Sequence, residues 1–135
     1  MAALVDIHGI LFNMVILYSF LLGVYAIVLA VGNGSISGNF WGAIGVYVVL
    51  TAATFVVGII LILNGYTVAS DGRIIIYILY MLFLIVIMPG LFSFLRGEDN
   101  RRAAIYFALL AMFNAAVALS MAGRGLSMWI LATAN

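Results

Sequence analysis

The sequence predicts an all-α integral membrane protein, a bundle of four transmembrane helices, and three observations carry that prediction. Hydrophobic residues fill 68% of the 135 positions and charged residues only 7%, whereas a water-soluble domain carries roughly 25% charged residues to keep its surface wetted. Four long apolar runs are separated by short polar breaks, and each is close to the roughly 20 helical residues that cross a hydrocarbon core about 30 Å thick. Crossing consumes nearly the whole chain, so 1–135 is expected to form a single transmembrane domain.

The first helix is expected over about 7–31, a run long enough to span. Asp6 stands near its N-cap, where a carboxylate can accept from the free amides of the first turn. The run lacks the basic leader and the short apolar stretch of a signal peptide, so it is taken as a permanent helix. It stops at Gly32-Asn33-Gly34-Ser35. The second helix is expected over about 40–63, closed by Asn64-Gly65, because glycine tolerates the left-handed conformation that ends many helices. The third covers about 74–95, and Pro89 is expected to kink it by removing one backbone donor. The segment from Arg96 to Arg102 holds five of the nine formal charges and cannot sit in lipid. It therefore forms the loop before a fourth helix over about 102–122. Gly123-Arg124-Gly125 breaks that helix, and in the remaining tail, 123–135, Leu126, Trp129 and Ile130 keep a helical spacing suited to the membrane interface.

Four crossings place both termini on one side of the membrane. Arg96, Arg101 and Arg102 lie in the loops of the other side, against Arg73 and Arg124 on the terminal side. The positive-inside bias then expects non-cytoplasmic termini in a bacterial inner (cell) membrane. The match of Ile16-Leu17-Tyr18 with Ile78-Leu79-Tyr80 suggests a duplicated two-helix unit.

Lipid tails are as apolar as leucine, so membrane helices associate through small residues that let backbones approach and through a few hydrogen bonds. Ala104, Ala108, Ala111, Ala115, Ala118 and Ala122 follow the four-three spacing of a left-handed helix seam. Gly23 on the first helix and Gly42 and Gly45 on the second mark further close approaches. Asn13 and Asn114 are the amides deepest in the apolar runs, expected to bond to neighbouring helices. The third helix is bulky on every side. Leu82 and Ile85, with Pro89 and the arginines Arg96, Arg101 and Arg102, are expected to contact lipid or another membrane subunit.

Chemistry has few carriers. Cysteine is absent, which removes disulfides and thiolate chemistry, and five scattered arginines make no nucleic-acid footprint. No acidic or basic residue lies deep in any apolar run, although such groups mark most transport paths and proton relays. No phosphate loop, nucleophile–base pair or metal-ligand spacing occurs, so no enzyme and no bound cofactor are expected. His8 is the single histidine. Its imidazole could ligate haem or a chlorophyll-type pigment, or bond to a quinone; the alternative is an interfacial histidine paired with Asp6 or water.

The helix pattern of the whole chain, with the arginine-rich stretch from Arg96 to Arg102, resembles uncharacterised small four-helix bacterial membrane proteins. Some of these carry a histidine-tyrosine-leucine-tyrosine-like motif in the third helix, where this chain reads Tyr77-Ile78-Leu79-Tyr80. The resemblance implies the fold and transfers no function. The resulting expectation is a non-catalytic accessory subunit of a larger membrane complex, such as a respiratory or photosynthetic electron-transfer assembly, with other integral membrane subunits and lipids as partners. The alternatives are a haem, pigment or quinone binder using His8, and a small oligomeric transporter or channel.

Overall fold

The structure, a computed structural model, describes residues 2–32, 36, 38–68, 74–96, 100–126 and 128–131. The expected breaks at 33–35 and 97–99, the charged Asp71 and Arg73, and the end of the tail lie outside these residues. Among the described residues stand four helices, each long and apolar enough to cross a membrane: α1 (Ala2–Val31), α2 (Gly38–Leu63), α3 (Ile74–Phe94) and α4 (Arg101–Gly123). Two three-residue strands, β1 (Tyr66–Val68) and β2 (Trp129–Leu131), pair antiparallel.

The helix ends follow local chemistry. α1 begins at Ala2, so Asp6 is exposed in its second turn and is not the N-cap; Ala2, Ala3 and Leu4 are strong helix formers and carry the helix outward past it. α4 begins one residue earlier than the apolar run suggests, because Asn100 caps it: its side chain accepts from the Ala103 amide at 3.0 Å. α3 runs through Pro89 to Phe94 and closes at Arg96, which takes a left-handed φ of 54° while its amide donates to Ser93. After α4, Gly125 adopts φ 74°, the Gly125 amide donates to Ala122, and the Leu126 amide reaches back to Met121 at 2.9 Å. This paired closure satisfies carbonyls of the last turn, and it turns the chain back toward the bundle, where Leu126 is buried.

Each helix packs on its neighbours in sequence, and α4 closes the ring on α1. The α1–α4 interface is the largest, followed by α1–α2, whereas α3 has small interfaces with α2 and α4. α4 supplies buried Ala104, Ala108, Ala111 and Ala118, and Met112 lies across Gly23 of α1, where a Cβ would come within 2.9 Å of it. The ribbon of β1 and β2 covers the end of the bundle near the start of α1. Val68 and Trp129, paired across the strands, are both buried there. The segment 129–131 is thus a strand folded onto the bundle, and the helical spacing of its apolar residues is not expressed.

Candidate functional site

The only polar side chain of its kind in the chain, His8, sits in α1 fully buried under the ribbon. The indole Nε1–H of Trp129 donates to His8 Nδ1 at 3.0 Å, and His8 Nε2 lies 2.9 Å from the Tyr77 hydroxyl. An indole nitrogen can only donate, so Nδ1 must present its lone pair. The neutral ring therefore carries its proton on Nε2 and donates to Tyr77. Three distant segments meet at one imidazole: α1, the first turn of α3, and β2.

Packing holds the three rings in place. The His8 and Tyr77 rings meet Trp129 edge-on, with centroids 5.1 Å and 5.0 Å away, and Phe12 stacks on His8 one turn further along α1. Gly58 of α2 makes room for Tyr77, because a Cβ there would fall on the hydroxyl and lie 3.0 Å from Cζ. His8 is not paired with Asp6, which is exposed. A haem iron, a pigment magnesium or a quinone carbonyl at this ring would have to displace either Trp129 or Tyr77, since both ring nitrogens are engaged. The arrangement works chemically as a tie: it satisfies three polar groups in an apolar interior and fixes β2 and α3 to α1.

A second polar layer lies deeper. Asn114 of α4 donates from Nδ2 to the Tyr47 hydroxyl of α2 at 3.0 Å, and both residues are buried. Ser19, eleven residues along α1 from His8, is buried and donates to the Val15 carbonyl, which places this layer roughly 16 Å from the histidine at 1.5 Å per residue. Tyr18 stacks on Tyr47 at 6.4 Å and donates to the Ala43 carbonyl at 2.6 Å. Thr51 and Thr54 donate to carbonyls in the preceding turn of α2. The two layers use opposite diagonals of the ring, α1 to α3 through His8–Tyr77 and α2 to α4 through Tyr47–Asn114. Asn114 Oδ1 is buried without a partner.

The opposite end of the bundle is closed by Arg101. Its guanidinium donates to the carbonyls of Ala30 at 2.8 Å and Gly32 at 3.2 Å, the free acceptors that end α1. A cation there also meets the negative end of the helix dipole. Arg102 lies over the Tyr106 ring, 5.3 Å from its centroid. Beneath the arginines, Phe40 and Trp41 of α2 pack edge-on with Phe107 of α4, and Trp41 meets Phe92 of α3 at 5.1 Å.

The other sequence-marked residues separate into three groups. Gly23, Ala108 and Ala111 lie in the bundle, and Ala115 is half-buried at its edge. Gly42 and Gly45 are exposed with open space where a Cβ would stand, so the close approach expected at them is not made among the described residues. Small side chains permit an approach without compelling one; α2 uses Gly58 instead, where Tyr77 enters. Asn13 is exposed and joins no helices among the described residues. Leu82, Pro89, Arg96 and Arg102 are exposed and Ile85 is half-buried. Sequence reasoning missed Tyr77 and Trp129 as partners of His8, and Gly58 as the space that admits the Tyr77 ring. The one available signal was the histidine itself, which needs two hydrogen-bonding neighbours once it is placed inside a spanning helix. Among the described residues no cluster of His, Asp or Glu could hold a metal ion. Neither the models of protein families, nor the curated proteins, nor the solved structures compared with this chain give a match.

Proposed function

We propose that the chain is a non-catalytic subunit of a larger integral-membrane assembly, docking on other membrane subunits through α3. The observation that carries the proposal is the position of α3. It buries one row, Tyr77, Met81, Leu84 and Met88, and is pinned at its ends by Tyr77 against His8 and by Phe92 against Trp41, but shares only small interfaces with α2 and α4. It exposes Ile75 beside the first tie and Leu79, Leu82 and Val86 between the two. An apolar groove of about 660 Å³, lined by residues such as Leu91, Phe94 and Phe113, separates it from α4. Side chains of a foreign helix can fill such a groove, and dispersion contacts and close packing are what drive helix association in lipid. The polar groups of the interior support the same reading, because His8 is engaged by Tyr77 and Trp129 and Asn114 bonds to Tyr47, so that each layer ties helices together as a scaffold.

Purification from native membranes in mild detergent tests this. Other membrane chains should copurify with the wild-type protein and be lost from the double variant Leu82→Ala, Ile85→Ala. Identifying those chains names the host, for which we propose a respiratory or photosynthetic electron-transfer assembly because small accessory subunits of this kind occur there. A stable single chain with a transport activity of its own, or one carrying a haem or pigment absorption band abolished by His8→Ala, would replace this proposal.

A further inference from the structure

Asn13 is out of place. It lies exposed on α1, and among the described residues its amide has no hydrogen-bond partner. The exposed Asp6 marks a level of α1 that must stay near water, and Asn13 lies seven residues further on, roughly 10 Å deeper at 1.5 Å per residue. That depth is inside the apolar part of a spanning helix, where an amide facing lipid loses its hydrogen bonds and is found as a rule against another helix. The amide opens onto a groove between α1 and α4 of about 520 Å³, bordered by Leu17, Phe20, Ala115, Ala116 and Leu119. One turn earlier on α1, Gly9 has no atom within 4 Å of where its Cβ would stand, so a neighbouring backbone can come close.

We propose that this groove is the contact between two copies of the chain, related by a two-fold axis that passes beside Asn13. In such an interface each residue meets its own counterpart near the axis. A carboxamide suits that position because it is complementary to itself: the NH2 of one Asn13 donates to the carbonyl oxygen of the other, and the reverse bond completes the pair. A single polar residue in an otherwise apolar seam also fixes the register of the two helices. The flanking Leu17 and Phe20 of one copy then fill the groove over Ala115 and Ala116 of the other. The inference goes beyond docking through α3 and does not rest on it, since α1 and α3 stand diagonally across the bundle.

The absence of cysteine in the chain makes the test direct. Asn13→Cys in the full chain, oxidised in native membranes, should give a disulfide-linked product of twice the 14.5 kDa chain mass, whereas Val46→Cys on the exposed face of α2 should not. In mild detergent Asn13→Leu should lower the dimer fraction at least tenfold and Asn13→Gln should restore most of it, both keeping the wild-type set of copurifying chains. A dimer unaffected by Asn13→Leu, a cross-link equally strong from Val46→Cys, or a cross-link from position 13 only to a chain of different mass would overturn the proposal. Failure of docking through α3 would instead show as loss of the copurifying chains with the dimer intact.

Discussion

α4 and α3 are both apolar spanning helices, yet they meet the rest of the molecule in different ways. α4 presents a seam of alanines to α1 and is the most interior of the four, while α3 presents isoleucine, leucine and methionine on all sides and leaves much of that surface outside. In lipid both surfaces are equally well solvated by hydrocarbon, so burial of apolar area does not distinguish them. Closeness of approach does. A helix of small residues gains dispersion contacts over a broad face, whereas α3 buries one narrow row, Tyr77, Met81, Leu84 and Met88, pinned at its ends by a tyrosine that bonds to a histidine and a phenylalanine that meets a tryptophan. The comparison teaches that the α1–α4 pair should tolerate added volume badly and lost volume well, and that α3 should respond along its buried row and hardly at all on its outer face.

The largest expected effect is at the tie itself. His8→Ala removes the acceptor of Trp129 and the donor to Tyr77 and leaves a cavity, which together should destabilise the fold by about 2–5 kcal/mol on the soluble-core scale. Thermal unfolding in detergent measures this, and the tryptophan emission should shift to the red as Trp129 leaves its buried position. Next comes the seam. Ala111→Leu overpacks a fully buried position and should cost about 1–3 kcal/mol, while Ala115→Leu, at the half-buried edge, should cost clearly less; equal losses would mean that the seam is not the tight interface described. Tyr77→Phe keeps the ring over Gly58 but leaves the buried Nε2–H of His8 without an acceptor, for about 1–3 kcal/mol, and Asn114→Leu should fall near the roughly 0.6–1.7 kcal/mol measured for such bonds between membrane helices. The smallest effect is predicted for Leu82→Ala on the open face of α3, within about 0.5 kcal/mol. A large loss there would show that α3 depends on its outer side chains within this chain, and would remove the contrast.

The sequence made the helices and the seam legible because both are periodic: apolar runs of spanning length, and alanine at four-three spacing. Helix stops at Gly65 and Gly125 were legible for a related reason, since a positive φ is open to glycine. The ribbon was not. Strands of three residues carry no usable alternation, and Tyr66–Val68 finds its partner more than sixty positions away. The same distance hid the candidate site: Tyr77 and Trp129 are 69 and 121 residues from His8, and nothing local to any of them announces the others. Trp129 looked like an interfacial anchor because its neighbours Leu126 and Ile130 follow helical spacing, but Gly125 reverses the chain and directs the indole inward. Asn13 and Asn114 are alike in sequence, each a single amide in an apolar run, and only the rotation of each helix decides that one faces Tyr47 and the other faces outward.

The central claim, that this chain is one subunit of a larger membrane assembly, is tested most directly by the mass and composition of the particle it forms when extracted from its native membrane in a mild detergent. The account predicts a particle much heavier than two copies of the 14.5 kDa chain, containing other membrane proteins in fixed proportion to it. A particle that holds only this chain and lipid, at every detergent tested, would contradict it.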